Sequence, residues 1–589
     1  QGLIALVQTT RSTGGYDCSF LLFIDFRLAI YTNCFQCSFV LILSTKPSKL
    51  SLFVDSICYC YLLRYKQKQM EVFMTKRFSI AKIYSCFVEG CNGVITQIEV
   101  SISQGLPSFD IIGLCDSSIR ESRGRIKSSL KACGFALPNG HITVSISPSY
   151  IRKSGSGFDL PIALGVLIAS EQLKLSSNMR IFATGELTLD GQICSTPGSV
   201  IRLNSSSNED FDLRIIPEEE RSAAACSNVE VMCEATLKAL VERLSGNSIT
   251  RQRFVLNKSL CNESEEDYID FSLLKGQEKT SRAMVLAVSG WHNLLLIGSS
   301  GCGKTLAANI MHGLMPKLSV DELREVYAIY NAAGIATDIS PELYNRPFRI
   351  ITPQITIPKL LGNPSNNKPG EVSLASNGIL FMDEMCEFST RIIDSLREPI
   401  EDGHVLIHKD GRTIEYPSEF LFVGATNPCK CGMYLESPSK CTCSNAVRKN
   451  YLNRISAPML DRIDIVSEMY QVDQKGLTQI ATEESKQQTR EIKALINQCW
   501  HRQKERYRMA GVASLFNGTY KGNNEAEVFR ASNSVISRAI DISSVGGYSV
   551  RGMKKLIRVG RTIADLDDRD DMKESDILEA ACFKMNHKG

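Results

Sequence analysis

The sequence predicts an α/β fold in which buried strands end in loops that carry polar, reactive side chains. The first observation is a run at 293–297, apolar after Asn293, that leads into a glycine-rich segment at 298–305 and then into a helical pattern. The second is an apolar run at 379–382 that ends in Asp383 and Glu384. Short apolar runs bounded by turn residues are typical of strands buried on both faces. These two runs therefore predict core strands whose ends form one site.

The segment 298–305 has the pattern G-x-x-x-x-G-K-[ST] between a strand and a helix, which is the context that a phosphate-binding loop needs. Glycines let successive backbone N–H groups converge on phosphate oxygens, and the N-terminus of the following helix favours an anion. Lys304 would contact the β- and γ-phosphates of ATP. The alternative is a glycine-rich turn that binds nothing. The predicted nucleotide-binding residues are Gly298, Ser299, Ser300, Gly301, Cys302, Gly303, Lys304 and Thr305.

The acidic strand end supplies groups that nucleotide hydrolysis needs beside the phosphate loop. The Thr305 hydroxyl and the Asp383 carboxylate would hold Mg²⁺, Asp383 through water, and Glu384 would orient or deprotonate the attacking water. An apolar run that ends in Asp-Glu is often only a strand end. Its position about eighty residues after a phosphate loop favours the catalytic interpretation.

Length and composition are those of a globular protein with several domains. The chain has 589 residues, 43% of them hydrophobic and 22% charged, which is enough for about three or four domains. The net charge of +3 excludes nucleic-acid binding through bulk basicity, so any such contact needs a local patch. The 21 cysteines lack the spacing of a disulfide framework. Together with a phosphate loop, they predict free thiols in a reducing, cytoplasmic location.

The first 73 residues differ from the rest of the sequence. They begin with Gln1, hold five cysteines and show no clean periodicity. We expect residues 1–73 to be a non-native or mis-annotated upstream extension that is poorly ordered, with the natural start at Met70 or Met74. The alternative is a genuine extension particular to this chain. We find no secretory leader and no run of the roughly twenty apolar residues that a membrane span needs, so we expect no membrane partner.

Residues 74–247 alternate between strand and helix patterns. Positions 94–102 alternate apolar and polar residues as a half-buried strand does, whereas 117–133 has the periodicity of an amphipathic helix. Mixed strands and helices of this kind predict a compact α+β domain. The polar runs at 204–210 and 262–267 are expected to be loops or linkers.

Four cysteines follow the apolar run 419–426 in two C-x-C pairs. Cys429, Cys431, Cys441 and Cys443 could together hold Zn²⁺, because four thiolates are a common ligand set for zinc. The usual finger spacing is C-x₂-C, so the match to that pattern is imperfect. The alternative is four reduced thiols in a loop.

The pattern at 550–566 predicts an amphipathic helix in the C-terminal part of the chain. One stripe of this helix is apolar, and the opposite stripe is expected to be a solvated basic face. The basic face consists of Arg551, Lys554, Lys555 and Arg558.

Several segments of the chain resemble the magnesium-chelatase-like AAA+ ATPases of the ComM/YifB family. The matching segments are GLPSF at 105–109, GFDLPIAL at 157–164, TGELTL at 184–189 and PGEVSLASNGILFMDEMCEF at 369–388. The resemblance implies an AAA+ P-loop core with a parallel five-stranded sheet at 248–474. It also implies a C-terminal helical lid at 475–589 and a preceding α+β Lon-protease-like domain at 74–247.

The Ser–Lys dyad of a Lon-type protease is incomplete in this sequence. The lysine partner of Ser154 or Ser156 would fall near 200–201, where a valine and an isoleucine stand. The Lon-like domain is therefore expected to be non-catalytic.

The resemblance also assigns nucleotide roles to residues outside the two motifs. The asparagine at the position of Asn427 senses the γ-phosphate in AAA+ enzymes, and Arg551 matches a second nucleotide sensor. Arg462, with Arg454 as a further candidate, would point at the γ-phosphate of a neighbouring subunit and stabilise charge in the transition state. Such an arrangement needs a ring, and we expect a homo-hexamer. The alternative for the arginines is ordinary surface ion pairing.

The segment 405–416 predicts a β-hairpin, because Asp410-Gly411 joins two alternating runs. Lys409 and Arg412 near its tip could follow a phosphate backbone, although a solvated turn explains them equally. The family resemblance implies a motor on single-stranded or branched DNA, acting as a helicase or in branch migration during recombination or natural transformation. Two alternatives stay open: a magnesium-chelatase-like chaperone ATPase for metal insertion, and a nucleotide-gated protein scaffold.

Overall fold

The structure, a computed structural model, describes most of the chain after residue 79. The described residues are 20–25, 38–43 and 80–584, without 152, 154, 177, 247–248, 257–270, 275, 364–367, 410–411, 437, 439 and 472–482. Contacts divide the chain into Gln1–Ser79 and Ile80–Gly589. In the first unit, β1 (Phe20–Asp25) pairs antiparallel with β2 (Ser38–Leu43). Most of the expected extension at 1–73, and the polar run at 262–267, lie outside the described residues.

An eight-stranded mixed sheet is the framework of the region that begins at Ile80. Its strands are β3 (Ile80–Glu89), β4 (Asn92–Ser103), β5 (Ser108–Ile112), β6 (His141–Ser147), β7 (Ile181–Ala183), β10 (Leu213–Pro217), β11 (Glu230–Glu234) and β12 (Gln252–Arg253). Their order is β12-β11-β10-β7-β3-β4-β6-β5. A separate small hairpin consists of β8 (Glu186–Leu187) and β9 (Ile193–Cys194).

Helices pack on this sheet and complete the predicted mixed α and β arrangement. They are Ser117–Ala132, Asp159–Ala169, Ser199–Ser207, Arg221–Ser227 and Leu237–Ser245. In β6 every second residue is buried, as the alternation of apolar and polar residues predicts. The helix Asp159–Ala169 is buried along almost its whole length and packs on β3 and β4. The likeness of this region to a Lon protease stays a prediction.

The expectation of a loop at 204–210 is wrong for its first four residues, which complete the helix Ser199–Ser207. Val200 is fully buried, so the apolar face of the helix holds it against the sheet. The Ser205 hydroxyl donates to the carbonyl of Ile201, one turn back, at 3.0 Å. Serine hydroxyls that bond to the helix's own carbonyls make a serine-rich stretch compatible with a helix.

The second sheet has five parallel strands, and the prediction of such a sheet is confirmed. The strands are β13 (Leu294–Gly298), β14 (Phe348–Ile351), β17 (Ile379–Met382), β20 (Leu421–Thr426) and β21 (Ile465–Met469). Their order is β14-β17-β20-β13-β21, and every pair is parallel. All residues of β13, β17 and β20 are buried, because helices cover both faces of a parallel sheet.

Short helices and two small hairpins surround the five-stranded sheet. The helices are Glu278–Gly290, Lys304–Leu314, Val320–Ala333, Ile357–Leu361, Glu371–Leu374, Thr390–Ser395, Arg397–Asp402, Asn445–Leu452 and Ala457–Leu460. The hairpins are β15 (Gly362–Asn363) with β16 (Lys368–Pro369), and β18 (His404–Lys409) with β19 (Arg412–Pro417). The second is the hairpin that the sequence predicts. Its tip, Asp410-Gly411, lies outside the described residues.

The C-terminal part of the chain is helical. Its helices are Glu483–Met509, Glu525–Val528, Asn533–Gly546, Val550–Leu566 and Glu574–Ala581. Trp291 stacks on Phe516 with ring centroids 4.8 Å apart, and Trp500 contacts the same ring edge-on at 4.7 Å. These aromatic contacts join the helical region to the five-stranded domain. Within the described part of the chain, no helix has both the length and the hydropathy that crossing a membrane requires.

The helix Val550–Leu566 is amphipathic as predicted, but one of its basic residues is buried. Lys555 is 7% exposed, and its ammonium contacts Asp464 Oδ1 at 2.8 Å. Burial lowers the pKa of Lys555, and the Asp464 carboxylate opposes that shift. The expectation of a fully solvated basic face is therefore wrong at Lys555, because a carboxylate just before β21 supplies a buried partner. The pair joins the C-terminal helices to the sheet.

Candidate nucleotide site

The segment 298–305 forms one continuous loop from the end of β13 into the helix Lys304–Leu314. Gly301 and Gly303 have φ of +82° and +93°, which only glycine adopts without strain. A Cβ at Gly298 would lie 2.6 Å from Cys302 Sγ, so this position also excludes a side chain. A Cβ at Gly301 would meet nothing within 4 Å. The loop therefore curls with its backbone open on one side, as phosphate binding requires.

The Lys304 ammonium lies at the centre of this loop. It donates to the carbonyl of Gly298 at 2.7 Å, to the carbonyl of Ser299 at 2.8 Å and to Asn427 Oδ1 at 3.1 Å. Only 8% of the Lys304 residue is exposed. The hydroxyl of Ser299 is buried and has no hydrogen-bond partner, so the loop also holds a free polar group. The structure thus brings Asn427 to the predicted phosphate loop.

Thr305 and Asp383 also meet. The Thr305 hydroxyl donates to Asp383 Oδ2 at 3.0 Å. A hydroxyl and a carboxylate are the hard oxygen donors that Mg²⁺ prefers. Glu384 follows with φ of +52°, an unusual backbone for a residue with a side chain, and its N–H donates to Asp383 Oδ1 at 2.9 Å. Left-handed non-glycine residues cluster at functional sites, so this strain marks the acidic pair as a candidate.

Strand order explains why these groups converge. β17, β20 and β13 are neighbours in the sheet and run in the same direction. Asp383 follows β17, Asn427 follows β20, and the loop 298–305 follows β13. The carboxyl ends of parallel strands meet at one edge, where open α/β sheets bind ligands.

Arg462 lies at the opposite edge of the sheet. Its carbonyl accepts from Asn293 Nδ2 at 3.1 Å, and Ile465 N–H donates to the Asn293 carbonyl at 3.0 Å. Asn293 immediately precedes β13, whereas the phosphate loop follows it. Five strand residues separate the two edges by roughly 15 Å. The structure therefore does not bring Arg462 to the phosphate loop of its own chain.

One carboxylate holds both predicted arginines. Arg462 and Arg551 each form an ion pair with Glu401, at the end of the helix Arg397–Asp402. Arg551 also lies 3.7 Å from Asp461, so both of its ion pairs are with residues outside the phosphate loop. Arg454 instead pairs with Glu387 at 3.8 Å. Sequence reasoning misses Glu401, because a glutamate near the end of a short helix is too common to stand out.

The four cysteines of the two C-x-C pairs form one cluster, here called the cysteine quartet (Cys429, Cys431, Cys441 and Cys443). Their Sγ atoms all lie within 4.8 Å of one another. The Cys429 Sγ is 3.4 Å from that of Cys431 and 3.7 Å from that of Cys441. The backbone N–H of Met433 lowers the pKa of Cys431 to about 6, whereas burial raises the pKa of Cys429 to about 11. The quartet begins two residues after Asn427.

Two parts of the chain named in the sequence analysis lie partly outside the described residues. Lys409 and Arg412 are register partners at the end of the β18–β19 hairpin, but their side chains lie outside the described residues. Ser154 also lies outside them, and Ser156 is half-buried. The contact of the hairpin tip with DNA therefore stays a prediction, and so does the lack of protease activity in the domain at 74–247.

Three family models match the chain in succession. "Subunit ChlI of Mg-chelatase" matches residues 98–220, and "Magnesium chelatase, subunit ChlI" matches 270–477. The third, "Magnesium chelatase, subunit ChlI C-terminal", matches 486–584. The second match contains the phosphate loop, the acidic pair, Asn427, the cysteine quartet and Arg462.

Curated relatives match over most of the chain. It is 31% identical over 513 residues to competence protein ComM of Haemophilus influenzae, covering 86% of this chain and 97% of the relative. It is 31% identical over 509 residues to YifB of Salmonella typhimurium, covering 86% of this chain and 97% of that relative. The magnesium-chelatase 38 kDa subunit of Rhodobacter capsulatus is 26% identical over 178 residues, covering 27% of this chain and 50% of that protein.

Proposed function

Because the chain belongs to the ComM/YifB family of magnesium-chelatase-like AAA+ proteins, we propose that it hydrolyses ATP at the carboxyl ends of β13, β17 and β20. Membership of this family implies the use of a nucleotide and Mg²⁺. One observation carries the proposal: Lys304 contacts Asn427 while the adjacent Thr305 contacts Asp383. Four groups from three strand ends thus meet in two contacts at the phosphate loop.

Each group has a role in the proposed reaction. Lys304 exchanges its contacts to loop carbonyls for the β- and γ-phosphates of ATP. Thr305 and Asp383 would hold Mg²⁺, and the charge of the ion would offset that of the phosphates. Glu384 orients or deprotonates the attacking water, and Asn427 contacts the γ-phosphate. The backbone N–H groups of 298–305 bind phosphate oxygens.

Replacing Glu384 with glutamine tests the reaction step. Loss of a base that acts only in the transition state lowers kcat by about 10²- to 10⁴-fold, while the affinity for ATP changes little. Steady-state ATPase rates and the binding of a fluorescent ATP analogue measure the two quantities. The exposed Glu242→Gln is the matched control and keeps wild-type turnover. Unchanged turnover in Glu384→Gln would remove Glu384 from the reaction.

Arg462 and Arg551 are proposed to complete the site of a neighbouring subunit in a homo-hexameric ring. Both contact Glu401, at the amino edge of the sheet, and Arg462 is too far from its own phosphate loop to serve it. A head-to-tail ring presents this edge to the next subunit's carboxyl edge. In this arrangement Arg551 senses the neighbour's nucleotide, not that of its own chain. Glu401 keeps the two guanidinium groups side by side.

The proposed substrate of the motor is single-stranded or branched DNA, in recombination or natural transformation. The relative from Haemophilus influenzae is named a competence protein, and its length is matched almost completely. The β18–β19 hairpin ends in two basic residues, Lys409 and Arg412, which suit a phosphate backbone. In a ring, such a hairpin can project into the central pore and translocate or branch-migrate DNA as ATP is hydrolysed.

The double variant Lys409→Ala/Arg412→Ala tests the DNA proposal. Single-stranded or branched DNA is expected to stimulate ATP turnover of the wild-type chain, and the double variant loses this stimulation. The slope of log affinity against log salt falls by about 1.4 for single-stranded DNA, because two phosphate contacts are lost. Lys174→Ala, an exposed lysine in the preceding domain, is the matched control. If the rate of ATP hydrolysis is the same with and without single-stranded, duplex or branched DNA, and no DNA binding is detected, the proposed DNA motor is excluded.

Two other functions compete with the DNA motor. A metal-insertion chaperone ATPase is the second candidate, but the magnesium-chelatase subunit covers only 27% of this chain. A nucleotide-gated scaffold is the third, with the domain at 74–247 binding other proteins. Unwinding or branch migration by the purified protein separates these candidates, because neither alternative acts on base pairs.

The remaining assignments are proposals of the same kind. The domain at 74–247 is proposed to be Lon-protease-like and non-catalytic, which the absence of a lysine at 200–201 supports. The domain at 248–474 is the proposed ATPase core, and 475–589 is its proposed lid. A cytoplasmic location fits a chain that uses ATP and carries free thiols.

The cysteine quartet is proposed to bind Zn²⁺ through its four thiolates. A zinc ion bound to four thiolates has Zn–S bonds of about 2.3 Å, which separates the sulfurs by about 3.8 Å. The Sγ separations of 3.4, 3.5 and 3.7 Å within the quartet are close to that value. Four soft thiolates at this spacing favour zinc over Mg²⁺.

A further inference from the structure

We propose that the cysteine quartet is a metal-held support for the nucleotide site, so that ATP turnover by this chain requires Zn²⁺ bound to the quartet. The inference rests on the proposed nucleotide and zinc sites and assigns the quartet a part in their function. The quartet would act by positioning Asn427 and the phosphate loop, without touching the nucleotide.

The first support is the connection between the quartet and Asn427. β20 ends at Thr426, and Asn427 is followed by Pro428 and then by the fully buried Cys429. Consecutive Cα atoms are about 3.8 Å apart, so Cys429 lies within about 8 Å of Asn427 along the chain. A metal ion that fixes Cys429 therefore fixes one end of the segment that carries Asn427.

The second support is a contact between the quartet loop and the phosphate loop. Gly432 follows Cys431, and its N–H donates to the Cys429 carbonyl at 3.0 Å in a tight turn. A Cβ at Gly432 would lie 3.9 Å from the backbone nitrogen of Ser300. The φ of Gly432 is +79°, so the turn itself favours glycine. The quartet thus packs its backbone against the loop that would bind phosphate.

The third support is that little else orders this segment. Among the described residues of 428–444, only Pro428, Cys429 and Gly432 are buried. A segment that buries so little apolar surface needs a cross-link, such as a bound metal ion, to offset the conformational entropy that it loses when it becomes ordered. The four thiols supply the ligands for such a metal cross-link.

The quartet also reaches the segment that leads to Arg462. Arg448 donates to the Cys443 carbonyl at 3.2 Å, and its guanidinium stacks on the ring of Tyr434 at 4.0 Å. Ser444 accepts from Val447 N–H at 3.3 Å and so caps the helix Asn445–Leu452. The quartet therefore lies between Asn427 on one side and the helix that precedes the arginines on the other.

Zinc content is the first measurement. The full-length wild-type chain, purified without chelators, is expected to hold about one zinc ion per chain by plasma mass spectrometry. Cys441→Ser is expected to lose the metal. Cys582→Ser, an exposed cysteine outside the quartet, is the matched control and retains it. A wild-type chain without zinc would overturn the inference.

ATP turnover after metal removal is the second measurement, and it needs no substitution. A chelator that is selective for zinc over magnesium is expected to lower kcat on the order of 10²-fold, because a misplaced group at a reaction centre costs about that much. Binding of a fluorescent ATP analogue should change far less, and added Zn²⁺ should restore the rate. Metal removal from the Asn427→Ala variant should lower kcat little further, because the group that the metal positions is already absent.

The outcomes separate this inference from the proposed function. Zinc-loaded wild-type protein that hydrolyses ATP equally fast before and after metal removal would overturn the inference alone. Zinc-loaded protein that never hydrolyses ATP would overturn the proposed function and the inference with it. Loss of kcat with retained analogue binding, reversed by Zn²⁺, would support both.

Discussion

Substituting Lys304 with alanine is expected to abolish ATP turnover. The ammonium is the one cation that the described phosphate loop holds at its centre, where it contacts two loop carbonyls and Asn427. Without it, the charge that develops on the transferred phosphoryl group loses its nearest positive partner. We expect kcat/KM to fall by at least about 10²-fold, the usual cost of removing one preorganised donor. Lys304→Arg should also fail, because a planar fork does not replace a compact ammonium.

A coupled ATPase assay measures this loss, and thermal unfolding shows whether the variant folds. Lys359→Ala is a matched control, because Lys359 is an exposed lysine of the same domain and lies outside the proposed site. Full turnover by Lys304→Ala would mean that ATP is hydrolysed elsewhere in the chain. The phosphate-loop assignment would then be wrong.

Arg462→Ala is expected to lower turnover about 10³-fold or more, the range reported for an arginine that stabilises charge on a transferring phosphoryl group. The residue lies at the amino edge of the sheet, roughly 15 Å from its own phosphate loop. Its proposed action is therefore on the nucleotide of another subunit, not on that of its own chain. The loss should appear in kcat, with ATP binding to the variant preserved.

Mixing two inactive variants tests action between subunits. In a ring assembled at random from Lys304→Ala and Arg462→Ala chains, roughly a quarter of the interfaces pair an intact loop with an intact arginine. Turnover should therefore reappear in the mixture, although each variant alone is inactive. The control mixture combines Lys304→Ala with Glu242→Gln. Because the Glu242→Gln chain has both an intact phosphate loop and an intact Arg462, this mixture should be active. A mixture that stays inactive while rings still form would show that Arg462 does not serve a neighbour.

The local parts of the candidate nucleotide site follow from the sequence. The sequence pattern predicts a strand, a glycine loop and a helix in succession within 294–314, because each of these elements depends on nearby residues. The same holds for β17 and its acidic end at Asp383. The backbone requirements of such a loop are short-range, so the pattern specifies them without knowledge of the fold.

Other parts depend on contacts between distant segments. The pairing of Lys304 with Asn427, 123 residues later, needs β20 to lie beside β13. The sequence order of the strands differs from their spatial order, so composition and periodicity do not give this contact. Here family resemblance, not periodicity, indicated the partner.

The sequence by itself determined the α/β class, the candidate phosphate loop, its acidic partner strand and the hairpin that was predicted at 405–416 and spans 404–417, because each is encoded in adjacent residues. Only the tertiary structure decided that the four cysteines meet, that Glu401 holds Arg462 and Arg551, and that Lys555 is buried. These are charge and ligand contacts across long separations. Their existence depends on which helix packs against which strand, and burial of apolar faces elsewhere in the chain decides that packing.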